Sequence, residues 1–173
     1  MSKFLAVLFI IIATSSITLL LTRSDSGNNS DTVTTQQAEA MSGENNAPQG
    51  TSFDYSDSGY TEFPKDILTK TDTVELDLSD NNLTGSLPGG IRFLTELQVL
   101  NVSGNNMTGI PAEIGQLSNL RILNYSDNGI TGLPNELGNL ENLEVFNLSG
   151  NNPSQQDLNA IRNKLSPTVQ IIL

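Results

Sequence analysis

The chain has 173 residues, enough for one modest domain with appendages, and it contains neither cysteine nor histidine. Disulfides, thiolate chemistry and imidazole-bound metals are therefore excluded. All nineteen acids lie beyond Arg23, where only six bases accompany them, so the basic footprint of a nucleic-acid binder is absent.

Phe4 to Thr22 is a nineteen-residue run without a charge, bounded by Lys3 and Arg23. As a helix it spans about 28 Å, close to the roughly 30 Å bilayer core. Residues 1–23 are therefore expected to form an N-terminal transmembrane helix, a signal anchor that tethers the protein to a membrane. The alternative is a cleaved signal peptide, with Phe4 to Ile12 as its apolar core and Ala13-Thr14-Ser15 as a poor cleavage site. That alternative leaves the apolar Ile17 to Leu21 without a purpose. Lys3 and Arg23 flank both ends, so loop charge orients the segment weakly. The acidic remainder and the export-like start favour a single-pass protein with its bulk outside the cytoplasm, secreted if the segment is cleaved.

Residues 24–49 are rich in Ser, Asn, Gln, Thr and Gly, with four acids, no base and no aromatic residue. Such a segment buries too little apolar area to order itself and is expected to be a disordered linker. Its typical reach is roughly 25–30 Å.

From residue 50 onward one pattern returns every 23 or 24 residues. Leu76-Asp77-Leu78-Ser79-Asp80-Asn81-Asn82-Leu83 is echoed from Leu100 to Met107, from Leu123 to Ile130 and from Phe146 to Pro153. The structural asparagines Asn81, Asn105, Asn128 and Asn151 anchor the four copies. Apolar residues at alternate positions before each asparagine predict a short strand with one buried face. The asparagine amide both donates and accepts, so it can satisfy backbone groups at the turn and in the next unit. Leu87-Pro88, Ile110-Pro111 and Leu133-Pro134 follow, then apolar residues spaced by three, such as Ile114, Leu117 and Leu120, which suit a 3₁₀ or irregular turn. A degenerate first copy runs from about Gly50, with Ser58 in the asparagine position and Gly50, Lys70 and Thr73 in place of leucines. At the far end, residues 153–173 predict a cap. Leu158, Ile161 and Leu165 lie at helical spacing with Ser154 and Asp157 near the start as capping residues, and Val169-Gln170-Ile171 takes a sixth strand register.

On these residues the chain resembles the leucine-rich repeat family. The family pattern LxxLxLxxNxL is matched by Leu97 to Met107, by Leu120 to Ile130 and from Leu143 onward, and the Leu-Thr-Gly and Leu-Pro stretches are similar to the 23- and 24-residue classes. The absence of cysteine bars the disulfide caps usual in extracellular plant and animal members, so the resemblance is closer to small bacterial membrane-anchored members. It implies an α/β solenoid, a leucine-rich repeat arc over residues 50–152. A short parallel β-sheet would line the concave face, 3₁₀ or irregular turns the convex face, and one transmembrane helix would precede it. Such stacks usually bind other molecules.

On that architecture the residues between the buried apolar pairs fall into concave-face columns. One runs Asp54, Asp77, Asn101, Asn124, Asn147, Gln170, and its neighbour runs Ser52, Glu75, Val99, Ile122, Val145. A third runs Ser56, Ser79, Ser103, Ser126, Ser149, and a fourth Asp57, Asp80, Gly104, Asp127, Gly150. The expected partner-binding surface is Val99, Asn101, Ser103, Ile122, Asn124, Ser126, Val145, Asn147 and Ser149, an exposed apolar stripe beside an amide ladder. Asp54, Asp57, Glu75, Asp77 and Asp80 form an acidic patch at the amino-terminal end, where strands about 4.8 Å apart bring Asp54 and Asp77 close enough to repel. Such a patch could hold a hard cation or a basic peptide, but no loop of calcium-binding spacing is present, so no metal site is assigned.

No Ser-His or Cys-His pair and no glycine-rich phosphate loop exists, and no cofactor is implied. Glu75 and Asp77 stand about 7 Å apart on one strand face, a spacing a two-carboxylate glycosidase could use. An aromatic-lined sugar cleft is missing, however, and Tyr55 and Tyr125 fall at inward positions. The reading is a non-enzyme, a membrane-tethered module that recognises a protein or peptide outside the cytoplasm. A secreted adhesin or inhibitor and a non-binding spacer are the alternatives.

Overall fold

A computed structural model describes residues 50–173. The expected transmembrane segment and polar linker lie outside the described residues. Among the described residues no helix is long and apolar enough to cross a membrane.

Eight strands form two parallel sheets. β1 (Thr51–Asp54), β2 (Thr73–Asp77), β4 (Val99–Asn101), β6 (Ile122–Asn124), β7 (Val145–Asn147) and β8 (Gln170–Ile172) make one six-stranded sheet in that order. β3 (Thr84–Gly85) and β5 (Asn106–Met107) make a two-stranded sheet that the sequence reading missed. It forms just past the asparagine, where Asn106 N donates to Leu83 O and Thr108 N to Gly85 O. A two-residue strand is too short to show any alternation of its own.

Between the strands lie four 3₁₀ turns, Lys65–Thr69, Gly89–Phe93, Ala112–Gln116 and Asn135–Asn139. Each follows a proline (Pro64, Pro88, Pro111, Pro134) with φ between −65° and −71°. Proline supplies that φ at no cost, and its carbonyl accepts the first bond of the turn, as Pro64 O does from Ile67 N. Each turn buries one aliphatic residue: Ile67, Ile91, Ile114 or Leu137. These join Leu76, Leu100, Leu123 and Phe146 from the strands in one continuous core. Every repeat thus closes its apolar face only against its neighbours.

The asparagines tie the repeats together. Asn105 Nδ2 donates to Leu78 O, Val102 O and Ser103 O, and its Oδ1 accepts from Leu83 N. Asn128 repeats this on Val102, Tyr125, Ser126 and Met107, and Asn151 on Tyr125, Leu148, Ser149 and Ile130. The bonds reach back to the preceding unit, not forward to the next. The reason is geometric: the strand end of the earlier repeat already lies beside the turn, and its carbonyl, bonded once by its own asparagine, accepts a second bond there, as Leu78 O does from Asn81 and Asn105. Asn81 reaches back in the same way, accepting from Ser58 N and Tyr60 N.

The first repeat uses aromatic residues instead of leucines. Phe53 and Tyr55 stack with centroids 6.1 Å apart, and Tyr55 meets Tyr60 edge-on at 5.7 Å. All three are half-buried, so Tyr55 belongs to the end of the core and not to its interior. Gly50 stands where a leucine would be because any Cβ there would overlap the Val74 side chain. Thr73 is buried and bonds its hydroxyl to Lys70 O.

At the other end α1 (Gln155–Arg162) replaces a fifth 3₁₀ turn and buries Leu158 and Ile161. Ser154 is its N-cap, its Oγ accepting from Asp157 N at 3.4 Å. Asp157 acts differently from the capping role expected of it, since its Oδ2 accepts from Leu133 N in the preceding repeat. β8 pairs Gln170 with Val145 and Ile172 with Asn147. This places Gln170 two residues away from the predicted register, and the Asn147 column ends at Ile172. A strand of three residues after a helix carries no asparagine to set its phase, so contact with β7 sets it.

Tyr125 is fully buried and its hydroxyl has no hydrogen-bond partner. Burial pushes its ionisation far above the ordinary tyrosine range. Tyr125→Phe removes an unsatisfied group while keeping the ring, and should stabilise the fold by about 1 kcal/mol. Thermal unfolding checks this: a rise of roughly 4 °C is expected, and a fall would mean that a bound water serves the hydroxyl.

Candidate functional site

The predicted columns are in register from β1 to β7. Ser52, Glu75, Val99, Ile122 and Val145 pair in sequence across the sheet, as do Asp54, Asp77, Asn101, Asn124 and Asn147. Their exposure differs from expectation. Ile122 retains only 5% of its accessible surface, and Asn101, Asn124 and Ser126 are buried as well. The apolar stripe is therefore interrupted at its centre, leaving Val99 and Val145 half-buried on either side. Side chains on an inner face converge, and neighbouring residues cover one another there.

The asparagine column also has a structural task. Asn101, Asn124 and Asn147 each accept through Oδ1 from the N–H of the serine two residues on, at 3.2, 3.1 and 3.0 Å. The Ser103 and Ser149 hydroxyls donate to the same oxygens, and Asn124 Nδ2 donates to Asn101 Oδ1 at 2.9 Å. These local turns lead the chain into the fourth column. There Asp57, Asp80 and Asp127 have φ of 48°, 54° and 53°, and Gly104 and Gly150 have 65° and 74°. Aspartate and glycine are the residues that tolerate this left-handed backbone. A Cβ on Gly104 would overlap the Asp80 carboxylate, and one on Gly150 the Asp127 carboxylate. The column is thus chosen by turn geometry, a signal that Asp/Gly alternation before each asparagine carried and that the reading as a contact column passed over.

The acidic patch divides in two. Asp54, Asp57 and Asp80 are exposed, Glu75 is half-buried, and Asp77 keeps 2% of its accessible surface. Among the described residues no group of three or more carboxylates is gathered closely enough to hold a metal ion. Asp54 is held below its usual carboxylate range by the Ser56 hydroxyl and N–H. Asp77 Oδ1 accepts from Ser79 N at 2.8 Å, but its Oδ2 is buried without a partner. Burial pushes the Asp77 carboxyl up, with the Asp54 charge adding to it, against opposing pulls from Ser79 and the Asn101 amide. So enclosed, Asp77 cannot form with Glu75 a carboxylate pair open to a glycosidic bond.

An acid whose folded value is raised weakens the fold once ionised, so this penalty is full above the folded value and disappears as pH falls toward the ordinary value of 3.8. Asp54, shifted the other way, loses its contribution only below 3.8. Stability should therefore rise on mild acidification from pH 7 and fall again below pH 3.8. Asp77→Asn copies the residue used at 101, 124 and 147, and should gain about 1 kcal/mol at pH 7 and abolish the rise. Urea midpoints across pH test this, and an unchanged rise in the variant would assign it to another group.

One polar feature was not anticipated. Gln98, Asn119, Arg121, Asn142 and Glu144 line a shallow depression of about 320 Å³ beside the strand starts. Arg121 Nε donates to Glu144 Oε1 at 2.8 Å, both side chains being over 40% exposed, so the pair adds little stability. Asn119 and Asn142 donate to Thr95 O and Ser118 O, a second, exposed asparagine series.

A leucine-rich repeat region model matches residues 75–166. The chain belongs to the leucine-rich repeat family. Receptor-like protein 18 of Arabidopsis thaliana is 39% identical over 57 residues, which is 33% of this chain and 7% of that protein. Among solved leucine-rich repeat structures, a protein of Leptospira interrogans is similar with a TM-score of 0.54 and 29% identity, covering 65% of this chain and 34% of that one. A plant peptide hormone receptor, RGFR1 in complex with RGF2, is similar with a TM-score of 0.52 and 37% identity, covering 63% and 18%. This chain spans about a third or less of the length of these leucine-rich repeat relatives.

Proposed function

We propose that this leucine-rich repeat domain recognises a protein or peptide on its concave face, held outside the cytoplasm by the amino-terminal apolar segment. The observation that carries the reading is the in-register sheet face itself. Val99 and Val145 are accessible apolar residues, and Ser103, Asn147 and Ser149 beside them keep part of their surface. No hydrogen bond formed by Asn147 Nδ2 is seen, so that amide is free to meet a partner's backbone. Similarity to a peptide hormone receptor supports a peptide or protein ligand, and the nineteen uncharged residues from Phe4 support the tether.

Crosslinked capture from native membranes tests this with Val145→Arg, which sets a bulky charge on the accessible face. Gln116→Arg on the convex side is the control. A partner retained by wild type and Gln116→Arg but lost, about tenfold or more, by Val145→Arg is the expected result. Equal capture by both variants would move the contact off this face. Ile122, buried as it is, serves poorly as a probe because a charge there unfolds the stack. Asn101 and Asn124, buried and with their Oδ1 atoms taken up by their own turns, favour a second reading, a spacer whose face binds nothing specific, and absence of any captured partner would support it. Intact mass separates anchor from released form, since cleavage removes the apolar segment.

A further inference from the structure

We infer that the amino-terminal end of the concave face seats a cationic side chain, an arginine or lysine of the partner. This rests on the concave-face reading above and names the partner's chemistry. Asp54 and Asp77 are paired across adjacent strands, and Glu75 lies on the same face, two residues before Asp77. None of the residues in the four concave columns is basic. The salt bridge found among the described residues, Arg121 to Glu144, lies beside the strand starts and neutralises none of the three.

The second observation is the state of Asp77. The residue keeps 2% of its accessible surface, and Oδ2 is buried with no hydrogen-bond partner. The turn it supports does not need a charge, because asparagine makes the same bond to the second-following serine at 101, 124 and 147. A carboxylate here thus weakens the fold where a neutral residue of equal shape would serve, a cost typical of positions kept for binding. Its field is poorly screened because water is excluded around it. Exposed Asp54 and half-buried Glu75 can touch the incoming group directly, with Asp77 adding unscreened charge behind them. A guanidinium fits better than a metal ion. It spreads five donors over a plane and needs no compact ligand shell, and the carboxylates are strung along two strands.

The test uses the full-length chain and a fluorescein-labelled peptide of alternating glycine and arginine, against the same peptide with citrulline, arginine's neutral isostere. Binding is read by anisotropy at low and high salt. The arginine peptide should bind at least about tenfold more tightly than the citrulline one and weaken with salt. Asp77→Asn and Asp54→Asn should each weaken it about fivefold or more, and Glu136→Gln on the convex face should leave it unchanged. Because asparagine already stands in this column, both variants are expected to fold, and circular dichroism checks that they do. Equal binding of the citrulline peptide, equal loss in Glu136→Gln, or no binding would each overturn the inference. If the arginine peptide fails while Val145→Arg still abolishes partner capture, only the cationic seat is lost. If the peptide binds through Asp77 while Val145→Arg changes nothing, the acidic end stands and the wider concave contact falls.

Discussion

Asn105→Ala is expected to cost about 3–5 kcal/mol, more than deletion of most single side chains from this domain. One amide there serves three carbonyls, Leu78 O at 2.9 Å, Val102 O and Ser103 O at 3.1 Å each, and accepts from Leu83 N at 3.0 Å. The residue is buried, so water does not take over these bonds. Asn105→Asp should be no better, because a carboxylate cannot donate and would face three carbonyl oxygens. Repeats in a solenoid couple to nearest neighbours, so the damage falls on the joint between the second and third units. Urea unfolding should show a lower midpoint and a shallower or two-step transition as the halves uncouple. A loss below about 1 kcal/mol with an unchanged slope would mean the bonds are incidental to cohesion.

Gly115→Ala should cost about 2–3 kcal/mol, although alanine is the better residue for a turn in isolation. A Cβ at this position would come within 2.5 Å of the Glu136 carbonyl carbon and 2.9 Å of its Cβ, and it would overlap the carbonyl oxygen. Those are backbone and near-backbone atoms of the next 3₁₀ turn, so relief requires the repeats to separate. Gly109, in the loop before the turn, is the internal control. A Cβ there would meet only the Ser86 Cβ, at 3.9 Å, an ordinary contact. Gly109→Ala should therefore cost less than about 1 kcal/mol. Paired thermal melts decide it: similar shifts for both variants would show that inter-repeat distance is not what glycine protects at 115.

Much of this architecture was written in the order of residues. The 23- to 24-residue period, the alternation of Leu76 and Leu78, and the proline before each turn each express a local rule with one geometric outcome. Stacking identical units then multiplies that outcome, which is why the register from Asp54 to Asn147 was legible in advance. Position 170 escaped because β8 follows a helix and carries no repeated turn to count from. The two-residue strands β3 and β5 escaped because so short a segment has no period. At the candidate site, the identity of the concave columns was legible but their accessibility was not. Ile122 and Val99 occupy the same column and have the same chemistry, yet one is buried and the other partly open. Exposure depends on how tightly neighbouring strands turn their side chains toward each other, which involves residues 23 positions away.

The sequence by itself determined the repeat, its core, the positions of the anchor asparagines and the lack of any thiol or imidazole group, because these follow from residue type and spacing. Only the tertiary structure decided that Asp77 is enclosed beside Asp54 with one oxygen unpaired, and that the asparagine column is largely occupied by its own turns. Enclosure and hydrogen-bond satisfaction are properties of what surrounds an atom in space, and the surrounding groups come from neighbouring repeats.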